Sequence, residues 1–298
     1  MRSLTKRRAL FIYNNLAIMK KQRSHAPVPK GKLIIIGGAE DKSAKQSAEV
    51  HQDILKEFVK LCGKNAVIEI ITTAGEEAVD DTYAEYSKCF INWGASGTGH
   101  IHHQERIGIE EPIMERVKKA HGIFFSGGDQ LKLTAIYGGS ELMSVLKQRY
   151  INEKIIIGGT SAGAMAMSTP MIFDGSGQIE MVAAEVKVTT GFEFLKDVCI
   201  DTHFVHRGRF VRMAQVIATN PASIGIGIEE NTAIVITQGI KAEVIGSGVV
   251  IIIDGKNSHG SNITGFDKSK KITIRDLQVS ILSNQQLFEI PAPNPPHL

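Results

Sequence analysis

The segment that most restricts this chain is Ile155-Ile-Ile-Gly-Gly-Thr-Ser161-Ala-Gly-Ala-Met-Ala-Met-Ser168. Three successive β-branched residues, Ile155 to Ile157, read as a strand buried on both faces, because a half-exposed strand would alternate apolar with polar side chains. Gly158 and Gly159 end the run, and the small residues and methionines from Ala162 onward suit a buried helix. Ser161 therefore stands on a sharp strand-to-helix turn inside a Gly-x-Ser-x-Gly pattern, Gly159 to Gly163. Such a turn strains the serine backbone, needs space around it and lifts the hydroxyl clear of the sheet. The next N–H, at Ala162, then points to where an oxyanion would form. Taken alone, the pentapeptide fits a phosphate-binding loop or a tight turn equally well.

A strand buried on both faces needs a layered α/β setting, and the preceding sequence supplies one. Lys32–Gly38, Ala66–Ile71 and Gly122–Phe125 are apolar runs of strand length. Between them lie helical stretches at Ser47–Leu61 (with Val50, Ile54, Phe58 and Leu61 in register), Asp81–Trp93, Pro112–His121 and Leu131–Gln148, the last broken at Gly138-Gly139. Gly99–His103 reads as a short strand or a loop. This alternation predicts an α/β fold whose mostly parallel central sheet is flanked by helices. After Ser168 the pattern becomes β-rich: Val182–Thr189, Ile224–Glu229, Ala233–Thr237, Lys241–Ile245 and Gly248–Ile253 predict antiparallel strands extending that sheet, with one helix at Arg207–Thr219. Ile272–Leu282 adds a final pair. The expected organisation is a basic extension over 1–29, a single α/β domain over 30–290, and a Pro-rich tail over 291–298.

Composition excludes several function classes. A formal charge of +3 is too small to argue for nucleic acid. No apolar run is long enough to span a bilayer. Cys62, Cys89 and Cys199 lack metal-ligand spacing and suit the reduced thiols of a cytoplasmic protein. The first 25 residues resemble a signal peptide, but Asn14 and Asn15 interrupt the apolar segment and Lys20-Lys21 follows it. His100, His102 and His103 invite a zinc reading, yet no acid or thiol stands at matching spacing, so no metal is expected.

A serine nucleophile needs a base and an orienting acid. His203, in Ile200-Asp-Thr-His-Phe204, precedes the Arg207 helix, and Glu229-Glu230 closes a strand. Both are places where α/β sheets put their sites. His206 is a neighbouring candidate base, and spacing does not choose between the two glutamates.

Together, Gly37-Gly-Ala-Glu-Asp-Lys42, Ser126-Gly-Gly-Asp-Gln-Leu131, Gly158-Gly-Thr-Ser-Ala-Gly163, Asp201-Thr-His-Phe-Val-His-Arg-Gly-Arg209 and Gly225-Ile-Gly-Ile-Glu-Glu-Asn-Thr-Ala-Ile234 resemble the cyanophycinases. These are serine peptidases with a flavodoxin-like, class I glutamine amidotransferase-like fold. The resemblance covers nearly all of residues 30–290 and implies a catalytic triad of Ser161, His203 and Glu230. The oxyanion hole would come from the N–H groups of Ala162 and the Gly127-Gly128 turn. The implied substrate is cyanophycin, a polyaspartate carrying arginine on each side chain, cut to β-Asp-Arg dipeptides without a cofactor. On that reading Asp201 accepts a substrate guanidinium, and Arg207, Arg209 and Arg212, on one helix, clamp carboxylates. Gln130 bonds a backbone amide, with Asp129 and Thr202 beside it. Thr202 departs from the glutamine common at that place in the family. Acids Glu40, Asp41 and Asp129 are equally readable as turn formers. The family also implies a homodimer. The alternatives are a related aspartyl dipeptidase and a non-catalytic binding protein on the same fold.

Overall fold

The computed structural model describes residues 27–42, 54–106, 108–175, 182, 185–263 and 270–291. The basic extension up to residue 26, the first part of the Ser47–Leu61 stretch and residues 292–298 of the tail lie outside them.

The chain first lays down β1 (Lys32–Ile36), α1 (Ile54–Cys62), β2 (Val67–Ile71), α2 (Val79–Asn92), β3 (Gly97–Ile101), α3 (Glu111–Lys119), β4 (Gly122–Phe125), α4 (Gln130–Tyr137), α5 (Glu141–Asn152), β5 (Ile156–Thr160) and the short α6 (Ala162–Met165). It continues through β6 (Ser168–Thr169), β7 (Met171–Asp174), β8 (Lys187–Thr189), β9 (Leu195–Lys196), β10 (Val198–Thr202), α7 (Phe210–Thr219), β11 (Ile224–Ile228), β12 (Thr232–Thr237), β13 (Lys241–Gly246), β14 (Val250–Asp254), β15 (Gln278–Leu282) and β16 (Leu287–Glu289).

The main sheet runs β16-β13-β12-β1-β5-β4-β2-β3. Its five strands from β1 to β3 are mutually parallel, as the alternating pattern predicts. Period-two geometry sends Leu33 and Ile35 of β1 into one core, and Ile34 and Ile36 into the other, where α1 and α2 pack Phe58 and Phe90 against Phe124. Both faces are thus covered at the centre of the sheet, and so β1 and β4 read as apolar runs, whereas the edge strand β3 does not.

The β-rich half divides among three sheets, the smallest an antiparallel β7-β8 pair that takes the end of the expected Val182–Thr189 strand out of the main sheet. β12, β13 and β16 extend the main sheet antiparallel to β1. β10, β11, β14 and β15 instead belong to a second, six-stranded sheet, β15-β14-β11-β10-β6-β9. There β10 and β11 are parallel, joined across α7. The Ile224–Glu229 run is therefore not an antiparallel extension of the first sheet. The first core cluster runs without a break from Leu33 and Ile157 to Ile200, Ile226 and Ile253, so the two sheets share it.

Close packing explains the glycines around Ser161. A Cβ at Gly163 would strike the Phe125 carbonyl, and one at Gly159 the Gly163 carbonyl, so α6 can lie against the ends of β4 and β5 only with glycine at both.

Candidate active site

Ser161 leaves β5 at φ 50° and ψ −115°, a strained conformation for a residue with a side chain. Its N–H donates to the Ile36 carbonyl at 3.1 Å, which ties the turn to β1. The hydroxyl Oγ lies 3.0 Å from His203 Nε2, and His203 Nδ1 lies 2.6 Å from Glu230 Oε1. The three residues come from different strands: β5, the end of β10 and the loop after β11. A chain of this kind can pass the serine proton to the imidazole while the carboxylate holds the ring's tautomer. The His203 hydrogen bond, opposed by partial burial, lowers the pKa of Glu230 below the usual carboxylate value.

The end of β1 holds this chain together. His203 N–H donates to the Gly37 carbonyl at 2.8 Å, and Asn231 N–H to the Gly38 carbonyl at 2.8 Å. A side chain at Gly37 would collide with the Glu229 carbonyl, and one at Gly38 (φ 98°) with the His203 ring. Glu229 has separate work: its carboxylate accepts from the Val205 N–H at 2.5 Å and the His206 N–H at 3.1 Å, pinning the turn after His203. His206 is exposed and makes no contact with Ser161 among the described hydrogen bonds. The donor atoms of His206, Glu229 and Glu230 lie within 4.8 Å of one another, close enough to hold a cation. His100 and His102 both turn to Thr72, at 2.7 and 3.3 Å, whereas His103 meets Tyr137 at 2.8 Å.

The N–H groups of Ala162 and Gly128 have no acceptor among the described hydrogen bonds, and both residues line the cavity beside Ser161. That cavity, about 190 Å³, is walled by Arg207, Arg209, Arg212, Gln130 and Thr202. Thr202 is fully buried, and its hydroxyl has no hydrogen-bond partner among the described residues.

Four expectations change here. Asp201 cannot meet a substrate: it is 0% exposed and accepts from Arg212 Nε at 2.6 Å, Arg212 Nη2 at 2.5 Å and Arg209 Nη1 at 3.1 Å. Arg207 and Arg209 precede α7 rather than lying on it, and only Arg212 is helical. Asp129 caps α4, accepting from the Leu131 N–H at 2.7 Å. The Gln130 amide already donates to the Ile172 carbonyl at 2.9 Å, leaving its oxygen for other partners. Burial lowers the Arg209 pKa to about 10 against the opposing pull of Asp201.

A second cavity, about 460 Å³, opens on the other side of Ser161, lined by Glu40, Asp41, Lys42, Thr82, Tyr86, Gly127 and Thr160. Sequence reasoning missed it. The only signal was Gly37-Gly-Ala-Glu-Asp-Lys42, whose acids look like turn formers.

Residues 33–244 match the pattern of Peptidase family S51. The chain is 33% identical over 260 residues to the cyanophycinase of Geminocystis herdmanii (strain PCC 6308), covering 86% of this chain and 92% of that one. It is 32% identical over 263 residues to the cyanophycinase of Synechococcus elongatus, with 88% and 80% covered. The cyanophycinase of Trichormus variabilis (strain ATCC 29413 / PCC 7937) is 30% identical over 264 residues, with 88% and 86% covered. The crystal structure of a peptidase from an acI-B1 Actinobacterium superposes with a TM-score of 0.64 at 20% identity, over 89% of this chain and 98% of that one, and so shares the fold. With the family pattern running from β1 into β13, the chain belongs to Peptidase family S51 and is a cyanophycinase-like serine-type peptidase.

Proposed function

We propose that the protein is an exopeptidase that hydrolyses cyanophycin to β-Asp-Arg dipeptides. Ser161 attacks the scissile carbonyl, and His203 takes its proton and returns it to the leaving amine. Glu230 stabilises the imidazolium formed between these steps, and the Ala162 and Gly128 N–H groups hold the oxyanion. Arg207, Arg209 and Arg212 present guanidinium groups to the carboxylates of the substrate, with the Thr202 hydroxyl and Gln130 oxygen beside them. The observation that carries the reading is the placement of the Ser161 hydroxyl: 3.0 Å from His203, at the seam between an arginine-walled cavity and one holding carboxylates. A polymer carrying both charges on each unit suits such a seam, and the relatives named above are cyanophycinases. The shared core supports one peptidase domain over residues 30–290, and three buried cysteines, none of them in a disulfide, suit a reducing cytoplasmic setting.

The test is incubation of the purified protein with cyanophycin granules and, separately, with Asp-Leu, followed by mass spectrometry of the soluble fraction. Release of β-Asp-Arg by the wild type and not by Ser161→Ala is expected. Cleavage of Asp-Leu with the granules untouched would make it an aspartyl dipeptidase instead.

A further inference from the structure

The cavity on the Glu40 side of Ser161 holds a buried acid that faces no cation among the described residues. Glu40 is 6% exposed. It accepts from the Thr160 hydroxyl at 2.6 Å and from the Tyr86 phenol. Burial, and next the Glu40 charge, push the Tyr86 pKa well up, so the phenol keeps its proton and remains a donor. Both partners are neutral. A carboxylate this deep in a protein ordinarily faces a cation as well. Among the described residues none pairs with it. Lys42, which lines the same cavity, pairs with Glu85 at 2.9 Å and lies 4.5 Å from the centre of the Tyr86 ring. Ala39 adopts φ 49° just before Glu40, a costly backbone choice for a residue with a Cβ.

The position matters for the chemistry. Glu40 is bonded to Thr160, the residue before Ser161, and its cavity reaches Ser161 itself. Acyl transfer builds negative charge at that serine. A neighbouring carboxylate without a counter-ion opposes this charge, and a cation bound beside it removes the opposition. Asp201, by contrast, is enclosed by Arg209 and Arg212 and has no part in it.

We propose that this cavity is a guanidinium subsite, in which Glu40, with the exposed Asp41 at its rim, receives the arginine side chain of the unit next to the scissile bond. The proposal rests on the reading of the site as a peptidase for an arginine-bearing polymer. Glu40 retains lone pairs beyond those used by Thr160 and Tyr86, so a planar guanidinium fork can be bonded without disturbing either. Turnover is then coupled to the cation: the substrate completes the electrostatics that the nucleophile requires.

The experiment compares cyanophycin with the same polymer in which the guanidinium is replaced by the neutral ureido group of citrulline. The wild type should favour the arginine form by roughly 10²-fold or more in kcat/KM. Glu40→Gln keeps the shape and hydrogen-bonding reach. It should lower kcat/KM on the arginine form by a similar factor, the loss lying in KM, and should hold or raise kcat/KM on the citrulline form, from which it removes an uncompensated charge. Asp41→Asn, at the solvent rim, should cost less than about tenfold. Equal losses on both polymers would overturn the proposal and leave Glu40 a structural anchor for Tyr86 and Thr160. If Glu40→Gln does not fold, agmatine decides on the wild type: competitive inhibition by this bare guanidinium, and none by its ureido counterpart, is expected, and no inhibition refutes the subsite. Failure of the substrate reading shows itself differently, as wild-type inactivity on both polymers. Calorimetric binding of agmatine to the Ser161→Ala protein then still supports the subsite, and absence of binding refutes it.

Discussion

Asp201→Asn is the substitution that most sharply separates a structural acid from a substrate-reading one. Asp201 is 0% exposed, and the side chains it neutralises are 6% exposed for Arg212 and 13% for Arg209. Asparagine keeps the shape and one oxygen but leaves two buried guanidinium groups without a counter-charge. Breaking a buried ion pair from one side costs about 3–5 kcal/mol, because the remaining charge is stranded. At about 2–4 °C per kcal/mol for a chain of somewhat smaller size, the melting temperature should fall by roughly 6–20 °C. Differential scanning calorimetry measures this directly. Adding Arg212→Met, which removes the more deeply buried cation, should recover part of the loss, and the double-mutant cycle isolates the pair. In the surviving folded protein, kcat/KM should decline alike for arginine-bearing and citrulline-bearing polymers, since Asp201 shapes the loop around His203. A melting temperature within about 2 °C of wild type, together with a loss confined to the arginine polymer, would refute this reasoning and return Asp201 to the substrate.

Other consequences are directly measurable. Ser161→Gly should abolish activity while raising stability by about 0.5–2 kcal/mol, because the strain at φ 50° outweighs the extra unfolded-state freedom of glycine; a drop in melting temperature would contradict this. Glu230→Gln should lower kcat on the order of 10⁴-fold with little change in KM, whereas Glu229→Gln, which loosens only the Val205–His206 turn, should stay within about tenfold. The pKa of Glu230 is lowered in the fold, so its ionised form stabilises the protein above the ordinary value of 4.5 and this is lost as pH falls through the lower folded value. The melting-temperature gap between wild type and Glu230→Gln should therefore not shrink from about pH 8 to 5, and should close only as pH falls below 4.5 through the lower folded value. Burial pushes the Cys62 thiol up to about 12 and the Cys199 thiol higher still, so iodoacetamide at pH 8 should leave both unmodified in the native protein and label them in denaturant, as mass spectrometry would show.

The parallel half of the fold was legible because β1, β4 and β5 are covered on both faces and carry apolar runs, which β2 breaks only at Glu69, a buried acid paired with Arg116. The break between α4 and α5 was equally plain at Gly138-Gly139. Strand β10 was not. Val198–Thr202 ends in Asp201 and Thr202, polar residues that look solvent-facing yet are buried, one neutralised by arginines eight and eleven residues later. No local periodicity reveals a partner at those distances, and without β10 the second sheet cannot be foreseen. At the site, Ser161, His203 and Glu230 were all named from sequence, and the fold brings them together. The choice of Glu230 over Glu229 came from family resemblance. The coordinates add a physical ground, since the two adjacent carboxylates reach different partners, the His203 ring and the Val205–His206 backbone. The role of Gly37 and Gly38 was hidden, because what they make room for lies over 160 residues away in His203 and Glu229.

Ser161 hangs from the eight-stranded sheet, while His203 and the loop to Glu230 hang from the six-stranded one. The working arrangement is thus a clasp whose halves belong to two sheets over one shared core, tied at the site by a few bonds at the end of β1. A slip of about 1 Å between the sheets would open a 3.0 Å hydrogen bond while leaving every strand ladder intact. Loss of hydrolysis on warming should then precede loss of backbone structure. Across that interval, the labelling rate of Ser161 by a fluorophosphonate would gauge how far the halves have parted, and cooling would restore it.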